Sequence, residues 1–317
     1  MLKKITFWLN CARLYTLPIT ILSWAVIFVY SIKHGGNVFF GFLALFGISL
    51  VHLATNLIDD YIDYPKLNKE QEYINVAKNC KCAYLKNNSV TIKDLRNVIL
   101  IFLTFAAIIG LYLFFVSGHC VILLAIIGLI IALTYPLFSL NGLGEISVIT
   151  AYGPLMFEGV YYVMCGDFSW EVCILSFACA FMTNTILYAH MLMDFDQDET
   201  SHKKTLCRAL KTKENALNFI LIFYVLSFTM CGYLAISSRN YLYLLPLLTI
   251  PQIIDLYHAL KMYNNDKNSM PKIRFWHQPL KLTNTEDAPF FFRFLYSRNI
   301  MVFYMVLISI AIIFGEY

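Results

Sequence analysis

The stretch "HLATNLIDDYIDYPK" (His52 to Lys66) closes a long apolar run with three carboxylates, Asp59, Asp60 and Asp63. An acid costs a few kcal/mol inside a bilayer, and cytoplasmic ends of spans favour lysine and arginine. Three acids there, with Asn56 one helical turn before Asp60, need a partner of positive charge. On a helix Asn56, Asp60 and Asp63 share one face at spacings of four and three, and Asp59 borders Asn56's side.

Working outward, the chain of 317 residues is 59% hydrophobic, 16% aromatic and only 14% charged. Apolar runs near 20 residues recur along its length, each suited to a hydrocarbon core roughly 30 Å thick. The expected fold is an all-α membrane protein with nine spans, about 12–32, 37–58, 97–117, 119–136, 146–165, 169–193, 215–236, 241–260 and 298–315. Residues 1–317 read as a single polytopic membrane domain. The opening "MLKKITFWLN" lacks the short apolar region and small-residue cleavage site of a signal peptide, so the first span is expected to remain. The bilayer is the expected surrounding partner, and no nucleic-acid partner is expected.

Basic residues orient the map. With the N-terminus inside, 22 of the 24 lysines and arginines fall on the cytoplasmic side, and only Lys33 and Arg239 fall outside. That asymmetry is what the positive-inside rule demands. Nine cysteines lie scattered, mostly in apolar runs where cysteine behaves as a small hydrophobe, with no disulfide or zinc spacing.

A second acid cluster ends the sixth span in "HMLMDFDQDETSHKKTL" (His190 to Leu206). Four crossings separate the two clusters, so both reach the cytoplasmic face. Asp194 and Asp198 repeat the i, i+4 spacing, while Asp196 points elsewhere on a continuing helix. Mg²⁺ prefers oxygen ligands and takes one or two carboxylates plus substrate phosphates. Two facing clusters therefore suit a diphosphate held through Mg²⁺, with Asn56, Asp59, Asp60, Asp63, Asp194 and Asp198 as candidate ligands. Asp60 and Asp194 are the candidate catalytic acids, and Lys203, Lys204 or Arg208 can neutralise phosphate oxygens.

These residues resemble the UbiA superfamily of intramembrane prenyltransferases, and within it the 1,4-dihydroxy-2-naphthoate polyprenyltransferases. "WLNCARLYTLP" (Trp8 to Pro18) is similar to the opening W-x₄-R-P-x-T-L-P, with Leu14 in place of proline. Asn56 and Asp60 fit N-x-x-x-D. "LNGLGEISVITAYGPLMFEGVYYV" (Leu140 to Val163) is similar to the L-G-E, G-P and G-x-Y-Y-V stretch, and "DFDQDETSHKKTLCRAL" (Asp194 to Leu210) to the second acid motif. The resemblance implies nine helices around a central cavity that opens at the cytoplasmic face. It implies transfer of a polyprenyl group from its diphosphate to a small aromatic acceptor, with Mg²⁺ as cofactor and Arg13 beside the diphosphate. The chain departs from the pattern where "HMLM" (His190 to Met193) replaces N-N-x-R, where His202 replaces a glycine, and where the arginine segment of the first long loop has only "CAYLKNNSVT" (Cys82 to Thr91) as a counterpart. A terpene cyclase that keeps the diphosphate site, or a non-catalytic relative, are the alternative readings. A transporter needs charges near the midplane, and only Glu158 is central.

Glu158 is therefore the candidate acceptor contact, with a structural helix–helix role as the other reading. His52 and His190 read as packing or hydrogen-bonding residues. The loop from Asn264 to Arg298, basic and aromatic, reads as an interfacial segment at the mouth.

Overall fold

The computed structural model describes residues 2–67, 82–86, 89–200, 204–277 and 288–315, which are helical and contain no strand. Among the described residues, seven helices are long and apolar enough to cross a bilayer. They are α2 (Leu17–Lys33, extended back to Leu14 by a 3₁₀ turn), α3 (Val38–Leu67), α5 (Ile92–Ser117), α6 (Cys120–Leu140), α9 (Trp170–Met193), α12 (Lys213–Ser237) and α14 (Ala288–Phe314). The chain is thus an integral, multi-pass membrane protein. Amphipathic α1 (Leu2–Cys11) precedes them, the four-residue α4 (Ala83–Lys86) lies between α3 and α5, and the equally short α11 (Leu206–Ala209) precedes α12.

Two of the nine expected spans are not single long helices. The fifth consists of α7 (Gly144–Thr150), a π turn (Ala151–Leu155) and α8 (Met156–Cys165). The break falls at Gly153, whose φ of −107° and ψ of −116° are not helical, followed by Pro154, which lacks an N–H. A Cβ on Gly153 would sit 2.9 Å from Ala180 Cβ, so the kink lets this segment touch α9. The eighth begins as a 3₁₀ helix (Tyr241–Thr249) containing Pro246 and becomes α13 (Ile250–Asn265).

Helix ends follow local chemistry. Thr91 and Asp94 form a reciprocal capping box that starts α5 five residues before the expected span, and Thr212 accepts from Asn215 N to start α12. Burial then sorts the helices into layers. Within its most apolar window α9 is 78% buried, against 11% for α5 and 17% for α6. Accordingly α9 forms the centre, packed on α12, α14 and the kinked fifth segment, while α5 and α6 turn apolar faces outward, as lipid contact requires. A smaller core of Trp8, Leu53, Leu57, Leu85 and Leu95 joins α1, α3, α4 and α5.

The third long loop folds back onto the bundle. Arg293 of α14, fully buried, donates to the carbonyls of Ala259, Pro289 and Ser269 and to Ser269 Oγ at 2.6–3.1 Å. Asp255 accepts from His277 Nε2 (2.8 Å), Trp276 Nε1 (3.1 Å) and Tyr296 OH (3.3 Å). Residues 266–277 are thereby fastened at two points, Ser269 to α14 and Trp276–His277 to Asp255.

Candidate active site

Between α2, α3, α5, α6, the kinked fifth segment, α9 and the start of α14 lies a cavity of about 1730 Å³. Its wall is mostly aliphatic, with Leu, Ile, Val and Ala from α5 and α6 prominent. Polar side chains also line it, among them Arg13, Asn56, Asp194, Gln197 and Asp198. The spacing of Asn56 on α3, and of Asp194 and Asp198 at the end of α9 and in α10 (Phe195–Thr200), brings the two motifs to one cavity.

Arg13 organises the first motif. Its backbone occupies the left-handed region (φ 57°, ψ 51°) between α1 and the 3₁₀ turn, a conformation that reverses the chain. From there Nη2 reaches Asp60 Oδ1 at 2.5 Å and Nη1 reaches Asp59 Oδ2 at 3.3 Å. The second oxygen of Asp60 accepts from Tyr84 OH of α4 at 2.9 Å. Burial opposes the guanidinium charge, yet the carboxylates of Asp60 and Asp59 outweigh it and hold Arg13 above its ordinary pKa. Burial and then the Asp60 charge likewise push the Tyr84 phenol up. Asn56 donates to Ala12 O (2.9 Å) and Thr16 Oγ1 (3.2 Å), which fixes its amide and leaves its carbonyl oxygen as the remaining acceptor.

The second motif is arranged differently. Asp194 Oδ2 lies 3.1 Å from His190 Nδ1, one turn earlier on α9. Asp198 is 5% exposed, a buried carboxylate on the cavity wall. Asp196 leaves the site to meet Lys213 (2.8 Å) and Lys267 (3.0 Å), tying the third loop to α10. Burial works against its charge, but the two lysines prevail and lower its pKa.

Several expected residues stand elsewhere. Asp59, Asp60 and Asp63 are not on the cavity wall; Asp60, only 2% exposed, is engaged by Arg13 and Tyr84. Arg13 lines the cavity but spends its charge on those acids. Lys204 is exposed and off the wall, with its backbone N–H on Leu140 O, and Lys203 lies outside the described residues. Glu158 does not face the cavity. Its Oε2 accepts from Ser169 N (3.3 Å) at the start of α9, so it caps a neighbouring helix, while the adjacent Gly159 is the residue on the wall.

His52 and His190 make polar contacts, as expected of them, and each also lines the cavity. His190 meets Phe290 and Phe294 edge-on as well as Asp194. Tyr152 also lines it, 2.7 Å from His52. The sequence held one signal for this: a histidine one turn before Asn56 on the same face.

Among the described residues, no three His, Cys, Asp or Glu side chains lie close enough to enclose a metal ion. The oxygen donors on the wall, Asn56, Gln197, Asp194 and Asp198, match a hard cation that keeps waters and completes its shell with phosphate oxygens. Mg²⁺ fits that donor set; a fully protein-ligated ion does not.

An all-helical membrane fold around an apolar cavity, with carboxylates gathered on part of its wall, defines an intramembrane enzyme for an amphiphilic substrate. The match to known proteins agrees. Residues 16–279 match the UbiA prenyltransferase family, and the chain belongs to that family and is a prenyltransferase. It is 23% identical over 288 residues to a 1,4-dihydroxy-2-naphthoate octaprenyltransferase of Haemophilus influenzae, covering 84% of this chain and 89% of the relative. The enzyme of the same name from Escherichia coli K12 is 25% identical over 213 residues, 63% of this chain and 67% of that one. Among solved structures, the fold is similar to a digeranylgeranylglyceryl phosphate synthase (TM-score 0.64, 14% identity, 98% and 99% of the two chains). It is also similar to a UbiA homolog from Archaeoglobus fulgidus bound to GPP and Mg²⁺ (TM-score 0.58, 13% identity, 95% and 99%).

Proposed function

We propose that this protein transfers a polyprenyl group from its diphosphate to a hydroxylated aromatic ring, with 1,4-dihydroxy-2-naphthoate as the leading acceptor. The observation that carries the reading is that one cavity of about 1730 Å³ joins an aliphatic wall to Asn56, Asp194 and Asp198. It exceeds the roughly 300–1,000 Å³ of ordinary small-molecule sites, as a long isoprenoid tail and a ring together require. The names of the two sequence relatives support the acceptor, and the structural neighbour holding GPP and Mg²⁺ supports the donor.

The reaction breaks the allylic C–O bond, the electron pair leaving with the diphosphate. A ring carbon supplies the pair for the new C–C bond, and the ring then loses a proton or its carboxyl group. Asn56, Asp194 and Asp198 would hold Mg²⁺ at the diphosphate, and Asp60 would join them when Arg13 shares its carboxylate. The ion supplies charge neutralisation for the leaving group. The chain itself contributes a mostly apolar wall, whose aromatic residues Tyr135, Tyr152 and Phe294 would stabilise a developing allylic cation. Both acid motifs and the N-terminus face the cytoplasm in this reading, on the strength of the basic-residue asymmetry.

The test incubates purified protein with Mg²⁺, a series of prenyl diphosphates and a panel of hydroxylated aromatic acids, and identifies products by mass. A prenylated ring supports the reading; diphosphate release with only cyclised or hydrolysed isoprenoid would replace it with terpene-cyclase chemistry.

A further inference from the structure

The cavity wall carries a hydrogen-bonded cluster that the diphosphate chemistry leaves unused. Thr16 and Thr20 from the first span, His52 from α3 and Tyr152 from the π turn all line it. His52 Nε2 lies 2.8 Å from Thr16 Oγ1, and His52 Nδ1 lies 2.6 Å from Thr20 Oγ1 and 2.7 Å from Tyr152 OH. The kink at Gly153 and Pro154 is what carries Tyr152, 100 residues distant in sequence, to this histidine.

Proton counting assigns the donors. Thr16 has one hydroxyl proton, and it lies 2.8 Å from the Arg13 carbonyl, which can only accept. Asn56 Nδ2 donates to the same Thr16 oxygen at 3.2 Å. With its proton used, Thr16 receives from His52 Nε2–H, which places the imidazole proton on Nε2 and leaves a lone pair on Nδ1. Two hydroxyls, Thr20 and Tyr152, converge on that one lone pair. The Tyr152 proton serves Nδ1, and the Thr20 proton is shared between Nδ1 and Tyr152 OH, which lies 3.5 Å from Thr20 Oγ1. Thr20 is fully buried within the wall, whereas Tyr152 is only half-buried on it, and its phenol oxygen, donating to Nδ1 and accepting from Thr20, keeps one lone pair for a ligand in the cavity.

We infer that Tyr152, held in place by His52 and the buried Thr20, is a specificity-determining residue whose phenol oxygen receives the O–H of the aromatic acceptor's ring hydroxyl. This rests on the proposed transfer to a hydroxylated ring and names the part of the site that reads the hydroxyl. An O–H donates into the Tyr152 lone pair; a methyl ether in its place does not, and it brings a methyl group against oxygen. His52 is a positioning residue, since its ring sets where both hydroxyls stand. Through Thr16, the cluster is tied to Asn56 and to the Arg13 carbonyl, which places the ring on the Asn56 side of the cavity.

The experiment measures equilibrium binding of 1,4-dihydroxy-2-naphthoate and each of its two mono-O-methyl ethers to the full chain in detergent. A non-ionising prenyl thiolodiphosphate and Mg²⁺ are present throughout. Wild type, Tyr152→Phe, Thr20→Val and the conservative Thr20→Ser are compared, with melting temperature recorded for each. One of the two ethers should bind wild type about ten- to hundredfold more weakly than the diol, the size of one good hydrogen bond plus a misplaced methyl. In Tyr152→Phe the diol should weaken to near that ether, so the preference collapses, while affinity for the thiolodiphosphate changes less than about twofold. Thr20→Ser should keep the preference and Thr20→Val should lower it.

Two results overturn the inference. One is an unchanged diol-to-ether ratio in both Tyr152→Phe and Thr20→Val. The other is parallel weakening of ring and thiolodiphosphate, the mark of a merely structural cluster. Either leaves the transferase reading standing if the wild type still binds and prenylates the diol. Absence of both ring binding and prenylated product from the wild type would instead remove the acceptor reading itself, and this inference with it.

Discussion

Replacing Arg13 by methionine tests whether the guanidinium is the clasp of the first acid motif. The wild-type side chain bridges Asp60 at 2.5 Å and Asp59 at 3.3 Å, with side-chain exposures of 23% for Arg13, 3% for Asp60 and 14% for Asp59. Removing one partner of a buried pair costs about 3–5 kcal/mol, because the other charge is left without compensation. Here water reaches part of Arg13, Tyr84 keeps its bond to Asp60, and Asp60 can take up a proton, so the cost falls to about 2–3 kcal/mol. Methionine is no better than arginine in the left-handed backbone at position 13, so relief of strain adds nothing to the comparison. Thermal unfolding in detergent, at one scan rate, should show Tm falling by about 3–5 °C. Trp8, buried 6.2 Å from the Tyr84 ring, gives a fluorescence signal from the same cluster. Arg13→Lys should recover about half the loss, since an ammonium keeps the charge but not the fork that spans two carboxylates. In the double-mutant cycle with Asp60→Asn, the coupling should be about 2 kcal/mol. A coupling below about 0.5 kcal/mol would refute the clasp, whatever the single mutants do.

Three further outcomes follow from the same geometry. Cys11, beside the clasp, is pushed up to about 11 by burial and secondly by the Asp60 charge, so its thiol should alkylate slowly at pH 8.5; Asp60→Asn removes the second cause and should speed the reaction, and an unchanged rate would show that burial acts alone. Because that folded value lies above the ordinary thiol's, any stability linked to Cys11 is complete below about pH 8.5 and is lost as pH rises towards 11. Arg293→Met, which strips four hydrogen bonds from the loop–helix junction, should cost about 3–5 kcal/mol in unfolding and expose residues 266–277 to protease, and an intact loop in the variant would show that the Asp255 contacts suffice alone. For topology, single cysteines at Lys93 and Lys204, both exposed, should resist a membrane-impermeant thiol reagent in intact cells, whereas labelling from outside would invert the orientation drawn from the basic residues.

Much of the fold was legible because apolar length alone marks a span. Seven of the nine expected spans correspond to long helices, and the start of α5 was written in its Thr91–Asp94 capping box. The two segments that differ carry Gly153–Pro154 and Pro246, where a missing N–H interrupts the helical ladder without making the segment less apolar. Hydropathy cannot register such breaks. Helical spacing also grouped Asp194 with Asp198 and sent Asp196 elsewhere, but it grouped Asp60 and Asp63 with Asn56, and of those three only Asn56 stands on the cavity wall. It could not show that Tyr84 returns from a later short helix to cap Asp60, or that Glu158 bonds to the Ser169 amide. His52 looked solitary because its partners lie 36, 32 and 100 residues away, and only the packed bundle brings them together.

The most direct test of the metal-and-carboxylate site is product formation by purified wild type and Asp194→Asn, with a prenyl diphosphate and 1,4-dihydroxy-2-naphthoate, in Mg²⁺ and in excess EDTA. Asp194 is partly exposed on the cavity wall, so the asparagine variant should melt within about 1–2 °C of wild type, as expected of a substitution that opens no cavity. Prenylated ring should appear for wild type in Mg²⁺ and be absent in EDTA and in the variant. A variant that melts normally and prenylates at the wild-type rate, or a wild type that works equally well in EDTA, would contradict the account.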